Sequence, residues 1–397
     1  MYNRSLPLPS PVRRLAVSAL ATSVLVVIGT VPALAQVSPP TGSPVPDSGH
    51  VEDLWTRDLD SDLLGVEVAP TPDSALLENV RSALTTLASD HFEGRRTGTP
   101  GEARAAHFIA NRFESFGLVA AGNDAYFQRF PMRRTVRPDG RERLELMSGW
   151  SSFEQHPAEE RVIGANVVGL IRGSDPELRD EAVLVSAHFD HLGIGTPNEE
   201  GDSIYNGADD DASGVVAMLE IARALSEGPA PRRTVVFLAA TGEEQGLLGT
   251  RWYIQNPAVP LRRTVANLNI EMIGRPDPLV GGPGRMWLTG YERSTMGEII
   301  SEHGIAIVPD PRPEYNFFMR SDNIAFAYLG IPAHTISSYN LHEDYHTPAD
   351  EVDRIDFEHM ALVVEAAIEA VRALADGPAP MWHPGGRPVP PGSTTRD

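Results

Sequence analysis

The chain has 397 residues, 41% of them hydrophobic, enough to bury a sizeable core in one large or two ordinary domains. Its 33 basic residues, every one an arginine, face 54 acidic residues for a net charge of −21. That excess argues against a nucleic-acid partner, and the absence of lysine excludes a Schiff-base or P-loop lysine. Cysteine is absent too, which excludes disulfides, cysteine nucleophiles, iron–sulfur clusters and thiolate zinc sites, so any metal must sit on histidine and carboxylate.

The N-terminus reads as a signal peptide over residues 1–35. Arg4, Arg13 and Arg14 form a positive region, Leu15–Val31 an apolar run, and Ala33-Leu34-Ala35 a small-x-small cleavage pattern before Gln36. Gly29 and Pro32 near its end favour cleavage over an uncleaved anchor. The expected destination is the periplasm or the exterior, without stable membrane insertion once the peptide is removed. Residues 36–72 are rich in Pro, Ser, Gly and Asp and read as a linker or arm, and residues 377–397 as a Pro-rich flexible tail. Between them, 73–376 reads as a single domain without an internal repeat.

Within that body, apolar spacing of three and four predicts helices over Ser74–Ala88 and Gly101–Phe116, with Pro100 opening the second and Gly117 closing it. The segment Phe130–Glu160 reads as a hairpin or local excursion. Asn166–Ile171 and Ala182–Ala187 are short β-rich runs, Ala212–Leu225 an amphipathic helix, and Thr234–Ala240 an apolar strand of the kind buried on both faces. Val265–Ile273, Arg285–Thr289 and Pro332–Ile336 are further strand candidates, with helices expected over Thr295–His303 and Phe357–Ala375. This alternation predicts an α/β fold, a three-layer α/β/α arrangement around a mixed, largely parallel sheet. In such sheets the chemistry gathers where strands end.

Polar clusters stand at those ends. His188-Phe189-Asp190-His191 follows the strand at 182–187, and in an extended segment His188 and Asp190 face one side while Phe189 faces the core. A metal-bound imidazole usually has a carboxylate or carbonyl partner of the kind Asp190 offers. Asp209-Asp210-Asp211 precedes a helix. One acid suffices for a cap, and three concentrate repulsion that a metal bridge or strong hydrogen bonding relieves. After Thr234–Ala240 comes Gly242-Glu243-Glu244, adjacent carboxylates that can divide the work of ligand and base. Glu271 lies among apolar neighbours at a strand end, where an unpaired carboxylate is costly. Last comes His342-Glu343-Asp344-Tyr345-His346-Thr347-Pro348. Its first five residues match H-E-x-x-H, a metallo-endopeptidase motif that works only on a helix, where i and i+4 share a face. Pro348 and the scarcity of apolar residues here predict a loop, which makes the match accidental.

Taken in order, these motifs (His-x-Asp, Gly-Ala-Asp-Asp-Asp-Ala-Ser-Gly, Gly-Glu-Glu-Gln-Gly-Leu-Leu-Gly and Tyr-His-Thr-Pro) resemble those of the M28 family of zinc peptidases. That group contains bacterial secreted aminopeptidases and glutaminyl cyclases. The resemblance runs from about Leu87 to Asp356, some two-thirds of the chain. It implies two zinc ions bridged by Asp210, with His188 and Glu271 completing one site and Glu244 and His346 the other. It further implies Glu243 as general base, Asp190 orienting His188, and peptides with free N-termini as substrates. Two departures stand out: Glu271 and Asn323 occupy positions where many members have aspartate and histidine. The expected activity is removal of N-terminal residues by an exported dizinc aminopeptidase. A glutaminyl cyclase, an H-E-x-x-H endopeptidase and a noncatalytic binding protein are the alternatives. Tyr315, Phe317, Phe318, Met319 and Tyr339 are candidates to line an apolar side-chain pocket.

Overall fold

The computed structural model describes residues 71–137 and 140–390. The expected signal peptide and most of the expected linker lie outside these residues. In chain order the strands are β1 Val119–Ala120, β2 Phe127–Val136, β3 Glu142–Leu146, β4 Arg161–Ile171, β5 Ala182–His188 and β6 Gly193–Ile194. They continue as β7 Ile204–Tyr205, β8 Thr234–Ala240, β9 Thr264–Ile270, β10 Met286–Leu288, β11 Ile307–Pro309 and β12 Ala333–Ser337. The helices are α1 Ser74–Leu87, α2 Pro100–Ser115, α3 Trp150–Glu154 and α4 Gly214–Glu227. After them come α5 Leu248–Gln255, α6 Met296–Glu302, α7 Asn323–Tyr328 and α8 Phe357–Asp376.

Among the described residues ten strands form one sheet, ordered β11-β10-β12-β9-β5-β8-β4-β2-β3, with β1 beside β4. The middle of it, β12-β9-β5-β8, is parallel throughout. Antiparallel β4, β2 and β3 extend one side, so the expected excursion at 130–160 is in part a sheet-extending hairpin. Side chains alternate between the two faces with the two-residue period of a strand. Val183, Val185, Val235 and Phe237 pack under α1, α2, α4 and α8, while Leu184, Val236 and Leu238 pack against Tyr253 of α5 and Phe326 of α7. The expected α/β/α layering around a mixed, centrally parallel sheet is what forms.

Local chemistry sets the helix ends. Asp73 caps α1 through the Leu76 N–H, Thr99 caps α2 through the Glu102 N–H ahead of Pro100, and Asp356 caps α8 through the His359 N–H. Helix α4 begins at Gly214, two residues later than its apolar pattern suggests, because Asp211 Oδ1 accepts the Gly214 N–H at 3.0 Å. A Cβ at Gly214 would lie 2.3 Å from the Ile270 carbonyl oxygen, so only glycine lets this helix approach the end of β9 so closely.

Residues 377–390 lie along the body, because the Trp382 ring packs against Phe318 and His334 and its Nε1–H donates to the Gly330 carbonyl at 2.9 Å. His383 donates its N–H to Arg293, and Arg387 donates to the Tyr328 carbonyl. No helix among the described residues is long and apolar enough to cross a membrane.

Two buried histidines give the fold a pH dependence. His334 Nδ1 meets the Thr289 carbonyl at 2.7 Å, and His359 Nδ1 accepts the Gly284 N–H at 2.9 Å. Burial lowers both to about 4. The unfolded chain protonates near the ordinary histidine value, so this stability is full above about pH 6.5 and is lost as pH falls through about 4. Each group contributes at most about 3 kcal/mol. We expect urea unfolding to give a steep loss of stability over that window. His359→Gln, whose amide oxygen can still accept from Gly284, should flatten part of the slope. A slope identical to wild type would remove His359 from this account.

Candidate metal centre

The four parallel strands β12, β9, β5 and β8 end at one edge of the sheet, and the functional side chains stand just beyond them. His188 is the last residue of β5, Glu271 follows β9, Glu243 and Glu244 follow β8, and His346 lies in the loop after β12. Asp210 comes from the segment leading into α4. All six of these side chains come from residues the sequence reading selected, and they converge on one recess.

The donors form two groups that share Asp210. His188, Asp210 and Glu271 make one, and His191, Asp210, Glu244 and His346 make the other, with the donor atoms of each group within 4.8 Å of one another. His188 Nε2 stands 3.2 Å from Asp210 Oδ1, whereas His346 Nε2 stands 3.1 Å from Oδ2, so each carboxylate oxygen faces its own group. His346 Nε2 is also 3.2 Å from Glu244 Oε1. The buried atoms His188 Nε2, Asp210 Oδ2, Glu244 Oε1 and His346 Nε2 have no hydrogen-bond partner among the described residues. Buried polar atoms are ordinarily satisfied, and a set of imidazole nitrogens and carboxylate oxygens aimed at two common points suits a pair of zinc ions.

Electrostatics fit the same reading. Burial pushes the Glu271 carboxyl up to about 7 and the Asp190 carboxyl to about 6. Burial also drives Glu243 well above its usual range, reinforced by Glu244, Asp322 and Glu271. Burial acts in the same direction on Asp210, yet His188 and His346 outweigh it and hold Asp210 well below the ordinary aspartate value. A recess this rich in carboxylates is one that dications would neutralise.

Around the donors runs a frame of hydrogen bonds. The Asp190 carboxylate sits 3.8 Å from His188 Nδ1, and the shorter contact of that nitrogen, 3.1 Å, is to the Asp190 backbone carbonyl. The carboxylate itself accepts from the Thr97 hydroxyl at 2.8 Å and the Glu243 N–H at 3.0 Å. Asp190 therefore orients His188 through its main chain and ties the β8 loop through its side chain. Of the three consecutive aspartates, only Asp210 faces the recess. Asp211 accepts the N–H groups of His188, Gly214 and Met272, and Asp209 accepts that of Gly274. Strong hydrogen bonding, one of the two expected reliefs of that repulsion, is thus supplied by backbone donors.

The H-E-x-x-H match falls in a turn, not a helix: residues 343–346 are turn and His346 has φ +57°. His342 Nε2 points at Asp209 Oδ2, 3.3 Å away, while His346 points at Asp210. Beside them Arg275 bridges Asp344 at 2.7 Å and Asp350 at 3.1 Å, and Asp350 accepts the backbone N–H groups of Asp209 and Asp210. These links join the loop carrying His346 to the segment carrying Asp210. Arg275 and Asp350 went unremarked in the sequence because neither sits in a motif that chemistry alone recognises.

The recess is lined by Asp210, Glu243, Glu244, Glu271, Trp287, Thr289, Phe317, Arg320, Thr335, Asn340 and Tyr345. Of the five aromatic and methionine candidates only Phe317 is in that lining. Phe318 packs on His334 and Trp382, Met319 packs against the core under the sheet, Tyr339 lies beneath Arg312, and Tyr315 is exposed. Trp287, on β10, supplies the large ring that the run at 315–319 was expected to supply. Asn323 is fully buried, donating to the Phe318 carbonyl and accepting from the Thr335 hydroxyl, so at this position the side chain holds α7 in place.

Comparison with known proteins agrees with this geometry. A probable zinc metalloprotease of Pyrenophora teres is 36% identical over 204 residues, half of this chain and 41% of that one. Aminopeptidase YwaD of Bacillus subtilis is 26% identical over 226 residues, 52% of this chain and 45% of that one. In both, the match spans less than half of the relative's length. A solved zinc aminopeptidase from Bacillus subtilis superposes with a TM-score of 0.54 at 16% identity, covering 76% of this chain and 95% of that structure. A glutaminyl cyclase from Bacteroides thetaiotaomicron gives 0.52 at 16% identity, over 76% and 98%. The model of peptidase family M28 matches residues 166–371, the stretch that carries every donor of both groups. Over half of the chain matches that family, and the strand ends deliver its motifs to one recess: the chain belongs to peptidase family M28.

Proposed function

We propose that this protein is a dizinc aminopeptidase that hydrolyses the first peptide bond of peptides with a free N-terminus. The observation that carries this reading is the pair of donor groups sharing Asp210, with Glu243 lining the same recess and belonging to neither group. His188, Asp210 and Glu271 would hold one ion, and Asp210, Glu244 and His346 the other. Such a pair, when bound, supplies Lewis acidity that lowers the pKa of water and polarises a carbonyl.

The chain's own groups do the rest. Glu243 takes a proton from the attacking water as its oxygen bonds to the scissile carbonyl carbon, and then gives that proton to the departing amine nitrogen. The Glu243 N–H bond to Asp190 holds the start of its loop, and Asp190 in turn fixes the ring of His188. Export is part of the proposal, supported by the pattern of Leu15–Val31 and Ala33-Leu34-Ala35.

The test is mass-spectrometric digestion of one peptide in free and N-acetylated forms by the zinc-loaded protein. We expect stepwise shortening of the free form and none of the blocked form. Internal cleavage of both would overturn the exopeptidase reading. Loss of ammonia from an N-terminal glutamine, without shortening, would replace it with a cyclase.

A further inference from the structure

The second donor group contains a residue that the family resemblance does not supply. His191 is fully buried, and neither ring nitrogen has a hydrogen-bond partner among the described residues. Its Nδ1 lies 3.0 Å from Glu244 Oε1 and 3.7 Å from Asp210 Oδ2. With the His346 separations of 3.1 and 3.2 Å, four measured distances join the two imidazoles to the two carboxylates. Zinc bonds of about 2.0–2.1 Å in a tetrahedron give ligand–ligand edges of about 3.3 Å. The measured separations bracket that edge.

The surroundings are shaped for this ring. A Cβ at Gly207 would lie 2.6 Å from His191 Cδ2, so glycine leaves the space the imidazole fills. Arg95, fully buried, donates to the carbonyls of Phe189, Asn206 and Gly207, holding the chain on both sides of the ring. The ring of His191 meets that of His346 edge-on at 5.6 Å.

We propose that His191, through Nδ1, is a fourth protein ligand of the second metal site, which makes the two sites unequal. This rests on the dizinc reading above. The site of His191, Asp210, Glu244 and His346 is then closed by protein donors, as structural zinc sites are. The site of His188, Asp210 and Glu271 has three and keeps a position for water or substrate. The four-donor site binds first and more tightly, and the three-donor site is the one that exchanges with solvent.

The full chain, stripped of metal, is titrated with zinc and followed by calorimetry and by X-ray absorption at the zinc edge. We expect two binding events, the tighter one showing two imidazoles on the first zinc. With both ions bound, three imidazoles are shared between them. His191→Ala should weaken one event at least about 10–100-fold, the loss seen when even outer partners of ligands are removed. Circular dichroism checks folding, and the wild-type absorption data require no variant. Two events with one imidazole each, and unchanged affinities in His191→Ala, would leave His191 a hydrogen-bond partner of Glu244 and overturn the proposal alone. A wild-type chain that binds fewer than two ions would overturn the dizinc reading with it.

Discussion

Replacing Glu243 by glutamine should leave the zinc content and fold intact while lowering turnover by about 10²–10⁴-fold, the usual contribution of a positioned acid–base group. The change keeps the shape of the side chain and removes its charge and its capacity to take a proton. The structural contribution of residue 243 runs through its backbone N–H to Asp190, which the substitution does not touch. Since Glu243 belongs to neither donor group, metal affinity should move little. Because the group acts in the transition state, kcat and kcat/KM should fall together, with KM nearly unchanged. Glu343→Gln is the contrasting variant. Glu343 is exposed on a turn, and its loss should have little effect on activity. Full activity in Glu243→Gln, or a folded but inactive Glu343→Gln, would sink the assignment of the base.

How far this centre could be read from the chain depends on how local each signal is. Strands β5, β8, β9 and β12 announce themselves as apolar runs that end in polar residues, and the parallel sheet then does what parallel sheets do, bringing those ends to one edge. His188, Glu243, Glu244 and Glu271 were legible for that reason. His191 was not. The alternation argument that paired His188 with Asp190 assumes an extended chain, but β5 stops at His188. Beyond the strand end alternation no longer applies, and the fourth residue of the cluster joins the donors that simple alternation denies it. Asp209 and Asp211 show the same limit: composition announces charge, whereas the N–H groups their carboxylates accept come from residues up to 65 positions away along the chain. Of the aromatic run at 315–319 only Phe317 reaches the recess, because which rings face a cavity is decided by the neighbours in space, here Trp382 drawing Phe318 away. By contrast, the decoy at 342–346 could be set aside on local signals, since Pro348 disfavours helix at Thr347 and few apolar residues nearby could give a helix a buried face.

Asp210→Asn should weaken binding at both metal sites and, with it, activity, whereas Glu271→Gln should cost only one site. The reason is geometric. Asp210 is the one residue common to the two donor groups, with Oδ1 turned to His188 and Oδ2 to His346. Asparagine keeps one oxygen but replaces the other with a donor NH₂, which cannot ligate a cation. It also removes the charge that His188 and His346 stabilise so strongly in Asp210. A thermal measurement separates these cases without an assay. An ion that binds only the folded chain adds about 4 kcal/mol of stability when present at about 1,000 times its dissociation constant. Wild type should therefore melt at a markedly lower temperature in chelator than in zinc. That gap should shrink most in Asp210→Asn, which touches both groups, and less in Glu271→Gln, whose other group of His191, Asp210, Glu244 and His346 stays intact. An Asp210→Asn protein that still gains the full wild-type increment from zinc would mean that the two groups do not depend on a shared carboxylate.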